Sequence, residues 1–148
     1  MLSAPSAWRT RSRMKARLFW GAAAVLLAGM LWIARALSPD GRGFGTHVQL
    51  GLPACAFQLW SGLPCPGCGL TTAFAHMARF ELVSATHAHV VGVALFLCVL
   101  VALPLCSLAC LCGAPVEATL KRLRLHHVAA IIGLTAALSW LARIAALP

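Results

Sequence analysis

Acidic side chains are almost missing from this sequence. Asp40, Glu81 and Glu117 are the only three in 148 residues, and charged residues of both signs make up 10% of the chain. Hydrolytic chemistry that needs a paired acid and base has nothing to draw on, because Ser61 and Ser84 have no such set to work with. No carboxylate falls inside a long apolar run, so an intramembrane coupling site of the kind transporters use is missing as well. There is no internal repeat and no alternation of strand and helix patterns that could hold a thioredoxin-like fold. What is abundant is apolar side chain, 61% of the residues, with a mean hydropathy of +0.87. Soluble domains carry roughly 45–50%, and a chain this small cannot bury the excess in a core of its own. Disorder, a collagen-like repeat and a large multidomain enzyme are excluded on the same grounds.

Three stretches reach the length of about 20 mainly apolar residues that a bilayer-crossing helix requires. They run from Leu18 to Leu37, from about Ala88 to Cys112 and from Val128 to Leu147. Arg35 and Arg143 stand near the ends of the first and third spans, where a long basic side chain reaches headgroups while its stem stays in hydrocarbon. Pro104, inside the second, removes a backbone hydrogen bond and predicts a kink.

The 12 Lys and Arg residues give a formal charge of +9, and their placement orients the chain. Arg9, Arg11, Arg13, Lys15 and Arg17 precede the first span; Lys121, Arg122 and Arg124 precede the third. Basic residues collect on the cytoplasmic side, so the expectation is a multi-pass protein of the cell (inner) membrane with its N-terminus cytoplasmic and the loop 38–87 extracytoplasmic. Neither cluster is interleaved with the aromatic or hydrogen-bonding side chains that read nucleic acid. The lipid bilayer is therefore the expected partner, together with other membrane proteins or further copies of the chain, and nucleic acid is not. Ala34-Arg35-Ala36 looks like a signal cleavage site, but the apolar run before it, with Trp20 and Trp32, exceeds the roughly 7–15 residues of a signal core, which favours an uncleaved anchor.

Residues 1–17 read as a basic, aperiodic cytoplasmic tail and 18–148 as a single membrane domain. Pro39 and the three glycines between Ser38 and Gln49 end the first span. The apolar stretch from Leu50 to Pro64 is interrupted by Pro53 and Gly62 and is too short to span, which predicts an interfacial or re-entrant segment. Leu70, Ala73, Phe74, Met77, Ala78 and Leu82 recur at helical spacing and predict one amphipathic helix from Leu70 to Val83. Its polar stripe, Thr72, His76 and Arg79, reads as a wet face beside headgroups. The fold class is thus all-α: three transmembrane helices, the interfacial segment and one amphipathic helix.

The segment with chemistry in it is Cys65-Pro66-Gly67-Cys68-Gly69-Leu70-Thr71-Thr72. Pro66 and Gly67 supply a turn, Gly69 allows the backbone to loop tightly, and Thr71 or Thr72 is suited to cap the helix that follows. Cys68 then precedes a helix N-terminus, whose dipole favours thiolate and would make it the more acidic of the pair. Three readings stay open. Cys65 and Cys68 form a redox couple; or they hold a metal such as zinc, with Cys55 and His76 as further ligands; or a disulfide between Cys65 and Cys68 or Cys55 staples an interfacial loop. Haem attachment is disfavoured, since Gly69 stands where the axial His would be. His87 and His89 read as interfacial polar residues. Cys98, Cys106, Cys110 and Cys112 read as small packing residues of the second span.

At Cys65 to Phe74, CPGCGLTTAF, the sequence resembles an uncharacterised family of small bacterial membrane proteins, domain of unknown function 2752, with a Cys-Pro-x-Cys-Gly-x-Thr turn between transmembrane helices. The resemblance covers about Cys55 to Leu100 and takes in the Ser61-Gly62-Leu63-Pro64 approach. Cys65, Cys68, Pro66, Gly69 and Thr71 match the pattern. Thr72 stands where the family has Arg, Arg79-Phe80-Glu81 occupies the region of a Gly-Asp pair, and His87 or His89 lies near an expected Asn. The resemblance implies a membrane architecture and gives weight to the turn, and it names no activity. The resulting expectation is a non-enzymatic scaffold or accessory subunit with a structural Cys-x-x-Cys turn, held by a disulfide or zinc. The alternative is a membrane thiol-disulfide oxidoreductase with Cys68 as nucleophile and Cys65 as resolving thiol.

Overall fold

The computed structural model describes residues 6–63, 65–122 and 125–145. Residues 1–5 of the basic tail, Pro64 of the approach to the turn, Arg124 of the second basic cluster and the end of the third expected span, 146–147, lie outside the described residues. The regular structure described is helical throughout. It comprises α1 (Ser6–Ala36), a 3-10 turn at Thr46–Leu50, α2 (Ala56–Ser61), α3 (Leu70–Met77), α4 (Leu82–Ala88), α5 (Val90–Cys112), α6 (Val116–Arg122) and α7 (Leu125–Ala145).

Three apolar segments are long enough to cross a membrane: Ser12–Ala36, Val90–Cys112 and His127–Ala145. Only 11%, 6% and 0% of the residues in their windows are fully buried inside the protein, so most of these apolar side chains stay at least partly exposed, which suits hydrocarbon around them. This is the multi-pass, all-α membrane protein the composition demands. α5 continues through Pro104 and ends at Gly113, whose φ of +64° closes the helix with bonds from Gly113 N to Cys110 O and from Ala114 N to Ala109 O.

α1 packs along α5, and α3 lies against both. The small core at their meeting is Ala34, Phe74 and Phe96, flanked by Leu31, Leu70, Met77 and Val99. The rings of Phe74 and Phe96 meet edge to face, 5.4 Å between centroids.

Two expectations are corrected here. The basic segment before Leu18 is helical from Ser6 onward, continuous with the first span. Its helix has a partner: Arg17 Nη2 donates to Leu111 O (3.0 Å), Trp20 Nε1 donates to Ala114 O (2.9 Å), and the Cys110 thiol donates to Arg17 O (3.3 Å). The end of α5 thus supplies the support that the local sequence lacks.

The single helix from Leu70 to Val83 is in fact two, α3 and α4. The break is at Ala78–Glu81, where Phe80 adopts a left-handed φ of +63° and Glu81 N turns back to His76 O (3.1 Å). The polar stripe does not face a wet headgroup layer. Thr72 is fully buried and Arg79 reaches across to α1, donating to Arg35 O (3.1 Å) and back to Ala75 O of α3 (2.9 Å). Carbonyls left open at the C-terminus of α1 are thereby satisfied.

Candidate metal centre

The turn is built by its own backbone. Cys68 N donates to Cys65 O (3.1 Å), Leu70 N to Gly67 O (3.3 Å), and Gly67 N points at Cys65 Sγ (3.4 Å). Gly69, and neither Thr71 nor Thr72, caps α3; it takes φ +94°, and a Cβ there would lie 2.5 Å from Ala88 O and 2.8 Å from Gly43 O. Only glycine fits both the dihedral and the space. Thr71 and Thr72 sit inside the first turn of α3.

Cys55, at the head of α2, completes a group with Cys65 and Cys68 in which the three Sγ atoms lie within 4.8 Å of one another. All three are free, partly exposed thiols. Sulfurs at a tetrahedral zinc, with Zn–S near 2.3 Å, stand about 3.8 Å apart, so a modest contraction of this triangle would suit such an ion.

His76 does not join them. Its Nδ1 lies 2.6 Å from Glu81 Oε2, which turns the imidazole to the α3–α4 corner. Among the described residues the other cysteines form no such group; they line α5.

The electrostatics run against the acidity expected of Cys68. Burial, with the neighbouring Cys55 and Cys65, pushes the Cys68 thiol up to about 12. Cys55 is lowered, first by the backbone N–H of Gln58 and then by the Cys68 thiol. The dipole argument for Cys68 loses to desolvation and to crowding by like charges. A divalent cation would invert that penalty, since thiolates that repel one another become ligands of one positive centre.

Two residues expected elsewhere, His89 and Arg143, hold the turn in place. His89, expected at the interface, is 1% exposed. Its Nδ1 accepts from Gly92 N (3.2 Å), so the ring proton is on Nε2, which donates to Pro66 O (2.9 Å). Burial holds its pKa below the usual histidine value, and the charge of Arg143 adds to that. Arg143, expected to reach for headgroups, donates from Nη1 to Cys68 O (3.2 Å) and from Nη2 to Ala88 O (2.7 Å). The signal for Arg143 was present, because an ionisable residue in an apolar span calls for a partner. For His89 the sequence carried none.

Behind the turn, Thr72 Oγ1 and Thr46 Oγ1 share a buried hydrogen bond of 2.8 Å, and Thr46 Oγ1 also accepts from Asp40 N (3.1 Å). The loop after α1 is thus fastened to α3. No curated protein and no solved structure matches this chain. A family model does match, over residues 55–103: from Cys55 through the thiol turn, α3 and α4 into α5, this part of the chain is similar to DUF2752, described as a protein of unknown function.

Proposed function

We propose that this is a small membrane scaffold or accessory subunit in which Cys55, Cys65 and Cys68 hold one thiophilic metal ion, zinc in the first place. The observation that carries the reading is the convergence of three free thiols within 4.8 Å, from two segments ten residues apart. Gln58, one turn on from Cys55, brings its Oε1 4.0 Å from Cys68 Sγ and, with water, is available for the fourth position that zinc requires. Around this centre His89 and Arg143 donate to the carbonyls of Pro66 and Cys68, fixing the turn from the α4–α5 junction and from α7. The metal would lock the loop between the first two spans into a rigid surface for a neighbouring membrane protein or a second copy. The charge distribution supports an extracytoplasmic position for that surface in the cell membrane, with the N-terminus cytoplasmic.

The thiol-exchange alternative relies on Cys68 as nucleophile, and that thiol is pushed up to about 12, far from the activated range of redox cysteines. Elemental analysis of protein purified without added metal tests the proposal. It should find close to one thiophilic metal per chain, lost on Cys55→Ser or Cys65→Ser substitution. Metal-free protein whose Cys65 and Cys68 cycle with a glutathione buffer would overturn it in favour of the exchange reaction.

A further inference from the structure

At the opposite end of the spans from the thiol turn lies a second site, an open cleft of about 900 Å³ between α1 and the junction of α5 with α6. Its walls include Ala16 and Phe19 on α1 and Val116 on α6, and its rim carries Arg13 and Lys15, with Glu117 across from them. We infer that this cleft binds one anionic glycerophospholipid, its phosphate against Arg13 and Lys15 and its acyl chains along Phe19 toward the bilayer.

Three observations carry the inference. The cleft lies where two spans leave the membrane, since the apolar segment of α1 begins at Ser12 and that of α5 ends at Cys112. A phosphate ester with acyl chains is the ligand whose polar and apolar halves meet at that depth. The cations are also available. Among the described residues neither Arg13 nor Lys15 is in an ion pair, whereas the adjacent Arg17 is committed to Leu111 O (3.0 Å). Arg13 and Lys15 outnumber Glu117 in the lining, and Arg17 and the α6 cations Lys121 and Arg122 add to the excess, so the cleft is net positive, which favours an anionic headgroup over a zwitterionic one. Finally, the walls are fixed. Trp20 Nε1 is bonded to Ala114 O (2.9 Å), and the Trp20 ring meets that of Phe19 edge to face at 5.2 Å. A fixed wall lowers the ordering cost of binding. The inference depends neither on the thiol centre nor on which side of the membrane the cleft faces.

Native mass spectrometry of the full chain in detergent, titrated with phosphatidylglycerol, phosphatidylcholine and soluble glycerol 3-phosphate, tests it. Phosphatidylglycerol should bind about tenfold or more tightly than phosphatidylcholine, with one lipid retained per chain, and glycerol 3-phosphate should fail to compete. Arg13→Gln with Lys15→Gln should bring phosphatidylglycerol down to the phosphatidylcholine level. Glu117→Lys should strengthen it, a gain that misfolding cannot imitate. Equal retention of the two lipids, indifference to both variants, or full competition by glycerol 3-phosphate would overturn the proposal.

Discussion

Arg143, in the last turn of α7, holds the carbonyl oxygen of Cys68 at 3.2 Å and with its other nitrogen that of Ala88 at 2.7 Å. One planar guanidinium thereby joins the third span, the thiol turn and the end of α4. Charged hydrogen bonds of this kind contribute about 1.5–3 kcal/mol each, and the fork geometry is specific to Arg. Replacement by Gln should lower the thermal stability of the detergent-solubilised protein by an amount of that order and loosen its hold on metal. Lys should restore part of it. Wild-type stability in Arg143→Gln would detach α7 from the turn.

Thr46 and Thr72 are buried and bonded to each other at 2.8 Å. Thr46→Val strands the Thr72 hydroxyl and the Asp40 N–H, and Thr72→Val leaves Thr46 Oγ1 only its bond from Asp40 N, at a cost of about 1–3 kcal/mol per stranded group; changing both removes the two hydroxyls and leaves only Asp40 N open. A double-mutant cycle read by thermal unfolding should therefore show the double variant less destabilised than the sum of the singles. Strict additivity would mean that the pair is not coupled.

The two glycines of the turn should respond differently. Gly67 has open space, with Cys65 Sγ 4.0 Å from an added Cβ, so Gly67→Ala should retain folding and metal binding. Gly69→Ala would set a Cβ 2.5 Å from Ala88 O on a backbone with φ +94°, and should yield little folded protein. Size-exclusion profiles in detergent compare them directly, and equal profiles would contradict the described turn.

His89 is buried in its neutral form, and its pKa is depressed by that burial and then by Arg143, against the opposing pull of the Pro66 carbonyl. The unfolded chain takes up this proton near pH 6.5 while the folded chain resists it, so the stability from this group is complete above about 6.5 and falls as the pH drops below that value. His89→Gln should be less stable than wild type at neutral pH and should lose less on acidification. Parallel pH profiles for the two proteins would show that His89 is not held neutral.

The spans were legible in the sequence because hydrophobic length is a local property: no distant contact changes whether Val90 to Cys112 is apolar. The Cys65–Cys68 turn was legible for the same reason, since Pro66, Gly67 and Gly69 act within a few residues. The rest depends on partners far along the chain. Arg17 becomes helical against Leu111 O, Arg79 finds Arg35 O, and Thr72 finds Thr46, and no spacing rule contains those pairs. The stripe of Thr72, His76 and Arg79, expected to be a wet face, does not stay together as one: Thr72 is buried and Arg79 lies beyond the end of α3. Thr72 serves a buried hydroxyl and Arg79 backbone carbonyls, while His76 meets the exposed carboxylate of Glu81. Cys68 was likewise judged by its helix end alone, when two nearby thiols and burial decide its acidity.

The central claim, that Cys55, Cys65 and Cys68 bind one ion together, is tested most directly by X-ray absorption at the metal edge on protein purified without added metal. The account predicts a first shell with about three sulfurs near 2.3 Å and one lighter atom, and no stoichiometric metal in Cys55→Ser. A shell of nitrogen and oxygen only, or no stoichiometric metal at all, would contradict it.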